Sequence, residues 1–223
     1  MTDFKHLFGP VPSRRLGVSL GVDFIPAKTC SLDCVYCESG PTTNLSTERC
    51  KFISPDEITA ELDSFLSTKP SIDYITFSGA GEPTLYSGLG QINDFIKKNY
   101  PGFKTALLTN GTLLWREDVR KECYGIDLVF PSIDAGSEEI FKKINRPEES
   151  LHIKKVLGGI REFSLNYKGS LWIEVFVLPG INITEKALGD IKSAISEIPH
   201  EKIFLNTLDR PGSESGLKKA SSE

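Results

Sequence analysis

The chain has 223 residues, 39% of them hydrophobic, and a formal net charge of −4. This length is enough for one domain with one sizeable core, as in many α/β barrels. The acidic balance excludes the overall basic footprint of a typical nucleic-acid-binding domain, but not a local basic patch. No apolar run reaches the roughly 18 residues of a membrane span. The first residues, MTDFKHLFGP, lack a signal-peptide pattern, so we expect a cytoplasmic protein without a membrane segment.

Short apolar runs alternate along the chain with segments of helical periodicity. This alternation is typical of repeated β/α units around a parallel sheet. The runs that we interpret as strands are 17–25, 72–78, 103–109, 126–133, 171–178 and 202–207. The sequence therefore predicts an α/β fold built on six parallel strands.

The clearest helix signal is the segment SPDEITAELDSFL, which lies between the first two predicted strands. Ser54 is a typical N-cap residue, Pro55 fits the first helical position and Glu57 completes a capping box. Apolar residues with helical spacing predict three further core-facing helices, and they are Leu89, Ile92 and Ile96; Ile153, Val156, Leu157 and Ile160; and Leu188, Ile191, Ile195 and Ile198.

The domain organisation predicted from these elements is simple. Residues 1–212 carry the alternating pattern and are expected to form a single domain. Residues 213–223, SESGLKKASSE, are polar and are expected to form a flexible tail.

The loops that follow the predicted strands carry the most unusual residues. In parallel β/α folds, binding groups lie beyond the carboxyl ends of the strands, so these loops are expected to meet at one mouth if the sheet curls. Alternatively, their Gly, Pro, Asn and Asp residues only form turns. The loops are the cysteine loop after the first strand, SGAGEP at 78–83, TNG at 109–111, SID at 132–134, LPGIN at 178–182 and NTLDRPG at 206–212.

Three of the five cysteines, Cys30, Cys34 and Cys37, lie in the stretch KTCSLDCVYC with the spacing C-x3-C-x2-C. In a reducing compartment an odd number of cysteines favours metal binding or catalysis over a disulfide framework. Thiolates are the usual ligands of iron-sulfur clusters, whereas a structural zinc site or an electron-transfer cluster needs a fourth ligand. Neither Cys50 nor Cys123 lies at pair spacing with the others, so both are expected to be inert. An incomplete ligand set favours a catalytic metal centre with an open position.

The cysteine stretch resembles the C-x3-C-x2-C signature of radical S-adenosylmethionine (SAM) enzymes, including the aromatic Tyr36 before the last cysteine. Further segments resemble a subgroup of that superfamily related to the wyosine tRNA-base synthases. These segments are FGPVPSRRLGVSLGVD, YITFSGAGEPTL, LLTNGTLLW, PSIDAG, INRP and LWIEVFVLPGIN. The resemblance extends from about Phe8 to Pro211 and implies a partial (β/α)6 TIM-like barrel.

The resemblance also implies a chemistry. It assigns Cys30, Cys34 and Cys37 as ligands of a [4Fe-4S] cluster and leaves the fourth iron for the amino and carboxylate groups of SAM. One electron from the cluster, delivered by a donor such as flavodoxin or ferredoxin, then cleaves SAM. The resulting 5'-deoxyadenosyl radical abstracts hydrogen from a substrate.

A SAM site makes demands on the other loops. The segment 79–83 resembles the family's Gly-Gly-Glu motif but departs from it at Ala80. Gly79 and Gly81 would let backbone carbonyls approach SAM, and Glu82 would accept from its ammonium group. The same segment does not match a dinucleotide fingerprint, because Thr84 stands where the last glycine is needed.

Five further residues complete the predicted SAM site. Asn110, Ser132 and Asp134 occupy the places where the family binds the ribose hydroxyls and the methionyl carboxylate, although Asn110 before a glycine is also a common turn residue. Tyr36 and Leu178, with the adjacent proline, are expected to form the adenine shelf.

The sequence allows more than one interpretation of several charged residues. Arg14 and Arg15 either bind an anionic substrate or are solvated surface residues. Arg146 and Arg210 either face the mouth or pair with carboxylates. Alternation along its strand puts Glu174 on the face opposite its apolar neighbours, so it needs a polar partner if that face is the lumen. Lys28, next to the cysteine loop, either helps to balance the cluster's negative charge or has no role there.

The sequence leaves the substrate open. A tRNA base is one candidate, but no run of basic residues is longer than two, and tight tRNA binding usually rests on many phosphate contacts. An activase that installs a radical on a partner protein would use the same SAM site. A non-catalytic iron-sulfur or zinc module would bind metal without SAM, and the strand-end motifs count against it.

Overall fold

The computed structural model describes residues 4–221 and contains nine strands. They are β1 (Leu7–Ser13), β2 (Gly17–Val22), β3 (Thr29–Cys30), β4 (Asn44–Leu45), β5 (Tyr74–Phe77), β6 (Lys104–Thr109), β7 (Leu128–Pro131), β8 (Ser170–Phe176) and β9 (Lys202–Asn206). Seven of them form one sheet in the order β1-β2-β5-β6-β7-β8-β9, and β3 pairs with β4 separately. The large sheet curls into a half-barrel, which confirms the predicted α/β partial barrel.

Six α-helices and one short 3-10 helix, Pro83–Leu85, connect the strands in the described part of the chain. The helices are α1 (Pro55–Leu66), α2 (Leu89–Asn99), α3 (Glu117–Cys123), α4 (Glu138–Ile144), α5 (Ile153–Asn166) and α6 (Glu185–Ser196). None of them combines the length and the apolar character that crossing a bilayer requires.

The six predicted strands correspond to β2 and β5–β9, and all of them pair in parallel. The sequence prediction missed β1, which pairs antiparallel with β2 and makes the sheet seven-stranded. Gly9, Pro10 and Pro12 interrupt the apolar run from which a strand would have been predicted. Proline is tolerated here because β1 is an edge strand and need not donate on its outer side.

The main core lies between the sheet and the helices, as the apolar stripes predicted. Helix α1 buries Ile58, Leu62 and Leu66, and its N-cap Ser54 accepts a hydrogen bond from the backbone N–H of Asp56. Each aliphatic side chain buried in this way stabilises the fold by about 1.5–3 kcal/mol.

A second, small cluster lies on the other face of the sheet. The turn between β1 and β2 places Leu16 there, where it is 4% exposed and packs with Ala106 and Leu128. This turn therefore forms the floor of the half-barrel, while the loops after the parallel strands form its mouth.

One predicted core position is wrong. Leu188 of α6 is 43% exposed, whereas Ile191 and Ile195 of the same helix are buried. The reason is that α6 packs beside the edge strand β9, and no helix follows β9 within residues 4–221 to cover that side. The outward side chains of β9 are exposed as well, with Leu205 at 73%.

The segment after β9 returns to the cysteine loop. Ser213 Oγ donates to the carbonyls of Cys34 and Val35 at 2.9 and 3.0 Å, and the backbone N–H of Glu214 donates to Val35 at 3.0 Å. Residues 222 and 223 of the predicted tail lie outside the described residues, as do residues 1–3 of the predicted domain.

Candidate active site

The cysteine loop begins where the chain leaves β2 and occupies the mouth of the half-barrel. Cys30 lies in the short strand β3, which pairs with β4, and the backbone N–H of Cys37 donates to the carbonyl of Cys34 at 3.1 Å. The loop is thereby closed on itself, and its three thiols come from one compact stretch of backbone.

A second segment, residues 144–148, begins at the last residue of α4 and holds the cysteine loop by its main chain. The N–H of Val35 donates to the carbonyl of Ile144, and the N–H of Asp33 donates to Asn145, both at 3.0 Å. In the other direction the N–H of Glu148 donates to a carbonyl of the cysteine loop at 3.0 Å. The position of the cysteines is therefore fixed by backbone contacts between this segment and the cysteine loop.

Each of the three sulfur atoms faces a nitrogen donor from a different part of the chain. Hydrogen bonds to thiolate ligands are one of the ways in which proteins hold and tune iron-sulfur clusters. The contacts are Asn110 Nδ2 to Cys30 Sγ at 3.5 Å, Asn145 Nδ2 to Cys34 Sγ at 3.4 Å and Lys28 Nζ to Cys37 Sγ at 3.3 Å.

Burial makes two of these thiols hard to ionise on their own. Desolvation, with a smaller contribution from Glu82, raises the pKa of Cys30 to about 12. Desolvation and the nearby Asp134 raise the pKa of Cys34 well above its usual range. A thiol in such a place binds as a thiolate only to a cation that replaces its proton, so metal binding at this site releases protons.

The donor set fits a cluster better than a single ion. Within residues 4–221, no three His, Cys, Asp or Glu side chains converge closely enough to hold one metal ion. A tetrahedral zinc site would need four ligands about 2.3 Å from one centre. Iron-sulfur clusters are held by cysteine thiolates, and all five cysteines of the described chain are free. Cys30, Cys34 and Cys37 therefore have the donor chemistry that an iron-sulfur cluster requires, and their role as its ligands stays a prediction.

Glu82, the acid of the predicted Gly-Gly-Glu-like motif, lies behind the cysteine loop and is only 2% exposed. Its Oε1 accepts from both hydrogen-bond donors of Thr84 and from Thr109 Oγ1, and its Oε2 accepts from the N–H of Asn110 at 2.8 Å. Burial raises the pKa of Glu82, and these hydrogen bonds oppose the rise. In this structure the carboxylate organises the Asn110 loop, and its contact with SAM stays a prediction.

Gly79 and Gly81 are explained by close packing within the protein. A Cβ atom on Gly79 would lie 2.0 Å from Asp23 Cγ, and one on Gly81 would lie 2.1 Å from the carbonyl oxygen of Thr29. Asp23 also accepts from the N–H of Ala80 at 3.0 Å. The glycines therefore let the loop after β5 approach the strand and loop that lead to the cysteines.

Asn110 acts as a turn residue and as a neighbour of the cysteine loop. Its Oδ1 accepts from the N–H of Thr112 at 3.0 Å, which forms the turn, while Nδ2 donates to Ser31 Oγ at 2.9 Å in addition to its contact with Cys30. The next residue, Gly111, has φ +72°, a conformation that favours glycine.

Asp134 is the centre of a buried polar network. Its Oδ2 accepts from Tyr36 Oη at 2.5 Å and from Asn145 Nδ2 at 2.8 Å, and its Oδ1 accepts from the N–H of Phe176 at 2.8 Å. Burial raises the pKa of Asp134 to about 6, and these hydrogen bonds oppose the rise. The network connects Tyr36 to Cys34 through Asp134 and Asn145.

Two aromatic rings form one wall of the mouth. Tyr36 stacks on Phe176 with 3.9 Å between ring centroids and 6° between ring planes. Ser132 lies beside them and donates its backbone N–H to the carbonyl of Thr109 at 3.0 Å. The structure therefore brings Tyr36, Ser132 and Asp134 together. Leu178 is instead fully buried in the main core, and its N–H donates to Asn182 Oδ1 at 2.7 Å.

A cavity of about 450 Å³ opens between this wall and the floor of the half-barrel. Cys37, Tyr36 and Ser132 line it from the mouth. Arg14, Arg15 and Arg210 line it with the carboxylates of Glu38, Glu174 and Asp209. We call this space the arginine cavity.

The structure locates the charged residues whose role the sequence left open. Glu174 faces the cavity, as strand alternation predicted, and its Oε1 accepts from Arg15 Nη1 at 2.5 Å and from Asn206 Nδ2 at 2.8 Å. Arg146 does not line the cavity: it pairs with Glu214 at 2.6 Å and lies 3.8 Å from an Asp33 oxygen.

Sequence reasoning missed three residues of the site. Asn145 is part of the INRP segment, but only its arginine was considered, and Phe176 was read as an ordinary strand residue. Asp23 ends the GVD segment and had no local signal, because its partner loop is more than 50 residues away in sequence. Cys123 is buried in the main core, whereas Cys50 is exposed and forms a backbone bridge with Tyr86.

The model of the Radical SAM superfamily matches residues 24–190. This range contains all three clustered cysteines and the strand-end loops up to α6. The chain belongs to the radical SAM superfamily.

Two curated relatives match almost the whole length of this chain. A protein of Brachyspira hyodysenteriae named GTPase Obg is 41% identical over 219 residues, which are 98% of this chain and 32% of that protein. A UPF0026 protein of Methanocaldococcus jannaschii is 41% identical over 213 residues, which are 95% of this chain and 66% of that protein. The radical SAM chain thus spans less than two thirds of either relative.

The fold of this radical SAM chain resembles that of a crystallised radical SAM methyltransferase from Sphaerobacter thermophilus. The two share 13% sequence identity with a TM-score of 0.67, over 92% of this chain and 60% of that chain. At this identity the likeness supports the half-barrel fold alone.

Proposed function

We propose that the protein reductively cleaves SAM and uses the resulting radical to abstract hydrogen from a substrate. The observation that carries the proposal is the set of three cysteine sulfurs, each facing its own nitrogen donor, at the mouth of a superfamily half-barrel. A [4Fe-4S] cluster, when bound, would supply one electron that splits SAM into methionine and a 5'-deoxyadenosyl radical.

The chain's own residues would hold and shield this chemistry. Lys28, Asn110 and Asn145 donate to the three sulfurs and favour their thiolate form. The Tyr36 and Phe176 rings offer a flat apolar surface next to the cysteines, which suits an adenine ring. Gly79, Gly81 and Glu82 position the adjoining loops. Together with Ser132 and Asp134, they are proposed to border the SAM molecule at the mouth.

The proposal requires a one-electron donor of low potential, such as flavodoxin or ferredoxin. It also places the protein in the cytoplasm, because free thiols at ligand positions persist in a reducing compartment.

A tRNA base, suggested by the resemblance to wyosine synthases, and a partner protein, as for an activase, are both candidate substrates at this site. They are separated by asking whether RNA or a protein is enriched with the tagged, reconstituted enzyme.

The test is anaerobic reconstitution with iron and sulfide, reduction, addition of SAM, and an assay for 5'-deoxyadenosine and methionine. Cys34→Ala removes a ligand and is expected to abolish both the cluster absorbance and the products. Cys50→Ala, which changes a cysteine away from the site, is the matched control and should behave as wild type. Stoichiometric iron or zinc without SAM cleavage under any reductant would contradict the proposal and favour a structural metal module.

A further inference from the structure

The arginine cavity is lined by three guanidinium groups that come from two parts of the chain. Arg14 and Arg15 lie in the turn between β1 and β2, and Arg210 lies in the segment after β9. The turn lies before β2, at the floor of the half-barrel, whereas the cysteine loop lies after β2, at the mouth. The two arginines of the turn therefore enter the cavity from the floor. The donors to the cysteine sulfurs enter from the mouth.

Arg15 has unused hydrogen-bond donors. Its side chain is 26% exposed, and its guanidinium lies 4.9 Å from the centroid of the Phe130 ring. Arginine carries five N–H donors. Among residues 4–221 the only hydrogen bond from this side chain runs from Nη1 to Glu174. The remaining donors are free to bind an acceptor in the cavity.

The other two arginines add donors to the same space. Arg14 pairs with Asp209, whose other oxygen accepts from Lys219 Nζ at 2.9 Å. Arg210 makes no ion pair within the described chain. The cavity also has carboxylates, so its net charge is small. What distinguishes it is the excess of N–H donors over the acceptors that they meet.

The turn that presents Arg14 and Arg15 is fixed. Ser13 Oγ accepts from the N–H of Leu16 at 3.2 Å and from the N–H of Arg15 at 3.4 Å, and Leu16 is buried below them. Donors held in place before a ligand arrives lose little conformational entropy when it binds.

We infer, resting on the proposed function, that the substrate carries an oxyanion, a phosphate or a carboxylate, which Arg15 binds with help from Arg14 and Arg210. The planar guanidinium matches both groups with paired hydrogen bonds. A cavity of about 450 Å³ is within the range that small-molecule sites occupy. The oxyanion lies toward the floor, and the end of the substrate that reacts lies toward Cys37.

The inference is tested by calorimetric titration of the reconstituted protein with saturating SAM present. The probes are GTP, inorganic triphosphate and guanosine for the phosphate arm, and glutarate for the carboxylate arm. Arg15→Gln should weaken binding of the preferred oxyanion at least tenfold, and the exposed Arg210→Gln should weaken it less. Arg161→Gln, which removes the same charge from an exposed position on α5, should leave it unchanged.

Binding of triphosphate and GTP but not guanosine identifies a phosphate, and binding of glutarate alone identifies a carboxylate. The inference is overturned if no probe shows arginine-dependent binding at millimolar concentration, or if Arg15→Gln and Arg161→Gln are equivalent. It is also overturned if Arg15→Gln weakens the binding of SAM instead, since the arginine would then serve the SAM carboxylate.

Formation of 5'-deoxyadenosine, measured in the same preparations, separates the two proposals. If every variant cleaves SAM but no probe depends on the arginines, the proposed function stands and the oxyanion assignment falls. Arginine-dependent binding in a protein that never cleaves SAM would overturn the assignment of the bound oxyanion as a substrate group.

Discussion

Arg49 and Arg15 each pair with a partly buried carboxylate, that of Glu122 and that of Glu174 respectively. The two arginines differ in how many of their N–H donors are used. The Arg49 side chain is 7% exposed and donates to the carbonyls of Thr84 and Tyr86 and to the carboxylates of Asp118 and Glu122. All five of its N–H groups are used. Arg15 uses one nitrogen. The comparison separates an arginine that ties loops together from one that is available to a ligand.

The largest effect on stability is expected at the saturated arginine. Arg49→Leu removes the side-chain donor of two carbonyls, the ion-pair partner of Glu122 and one of the two arginines that bind Asp118. The free energy of unfolding should therefore fall by about 3 kcal/mol, as when one partner of a buried ion pair is removed. Urea unfolding of the cluster-free protein measures this. Arg161→Leu, at an exposed arginine, is the control and should change little. A loss at Arg49 no larger than the control would remove the distinction between the two arginines.

The next effect is expected at Asn145, whose amide nitrogen donates to both Cys34 and Asp134. Asn145→Leu should lower the free energy of unfolding by about 2 kcal/mol, because a buried carboxylate loses a donor. It should also make the midpoint potential of the reconstituted cluster more negative, because a hydrogen bond to sulfur favours the reduced, more negative state. Potentiometry monitored by electron paramagnetic resonance reads this shift. Asn166→Leu, at an exposed amide, should shift neither quantity.

A smaller effect on stability is expected at the open arginine. Arg15→Gln should lower the free energy of unfolding by about 1 kcal/mol, because Glu174 keeps Asn206 as a donor and borders the cavity. The same urea titration measures it. If the loss equals that of Arg49→Leu, Arg15 is chiefly a structural residue, and the contrast with its effect on ligand binding disappears.

The smallest effect is expected at Asp118, whose side chain is 49% exposed. Its hydrogen bond with Arg116, and then those with Arg49, lower its pKa from 3.8 to about 2. Because the pKa is lower in the folded state than in the unfolded state, the ionised carboxylate stabilises the fold at any pH above the pKa of the unfolded state. This stabilisation is lost as the pH falls toward 2. Asp118→Asn should cost about 0.5 kcal/mol at pH 7, as exposed pairs do. The difference from wild type should vanish between pH 4 and 2. A difference independent of pH would assign it to packing instead.

The sequence predicted the parts of this molecule that depend on local pattern. The six parallel strands were found because each is a short, continuous apolar run. The cysteine loop was found because its three cysteines lie within eight residues of one another. Strand β1 was missed because its prolines are tolerated only at a sheet edge, and an edge is a property of the whole sheet.

The polar network could not be read in the same way. Asp134 was predicted, with Asn110 and Ser132, to bind the ribose hydroxyls and the methionyl carboxylate of SAM, and this stays a prediction. Its partners within the protein, Tyr36, Asn145 and Phe176, could not be predicted because they meet only in the folded chain. Leu178 follows its strand as the other predicted residues do, yet it is buried. Its orientation depends on Asn182, whose side chain caps the turn.

The main-chain contacts between the segment 144–148 and the cysteine loop have a consequence for how the protein tolerates change. Backbone N–H and carbonyl groups are present whatever the side chain, so substitution of the half-buried Asp33 leaves its N–H bond to Asn145 in place. Insertion of one residue between Asp33 and Val35 would instead move their two N–H groups out of register with the carbonyls of Asn145 and Ile144. The position of this loop is thus tolerant of substitutions outside the cysteines and sensitive to a change in the length of the loop.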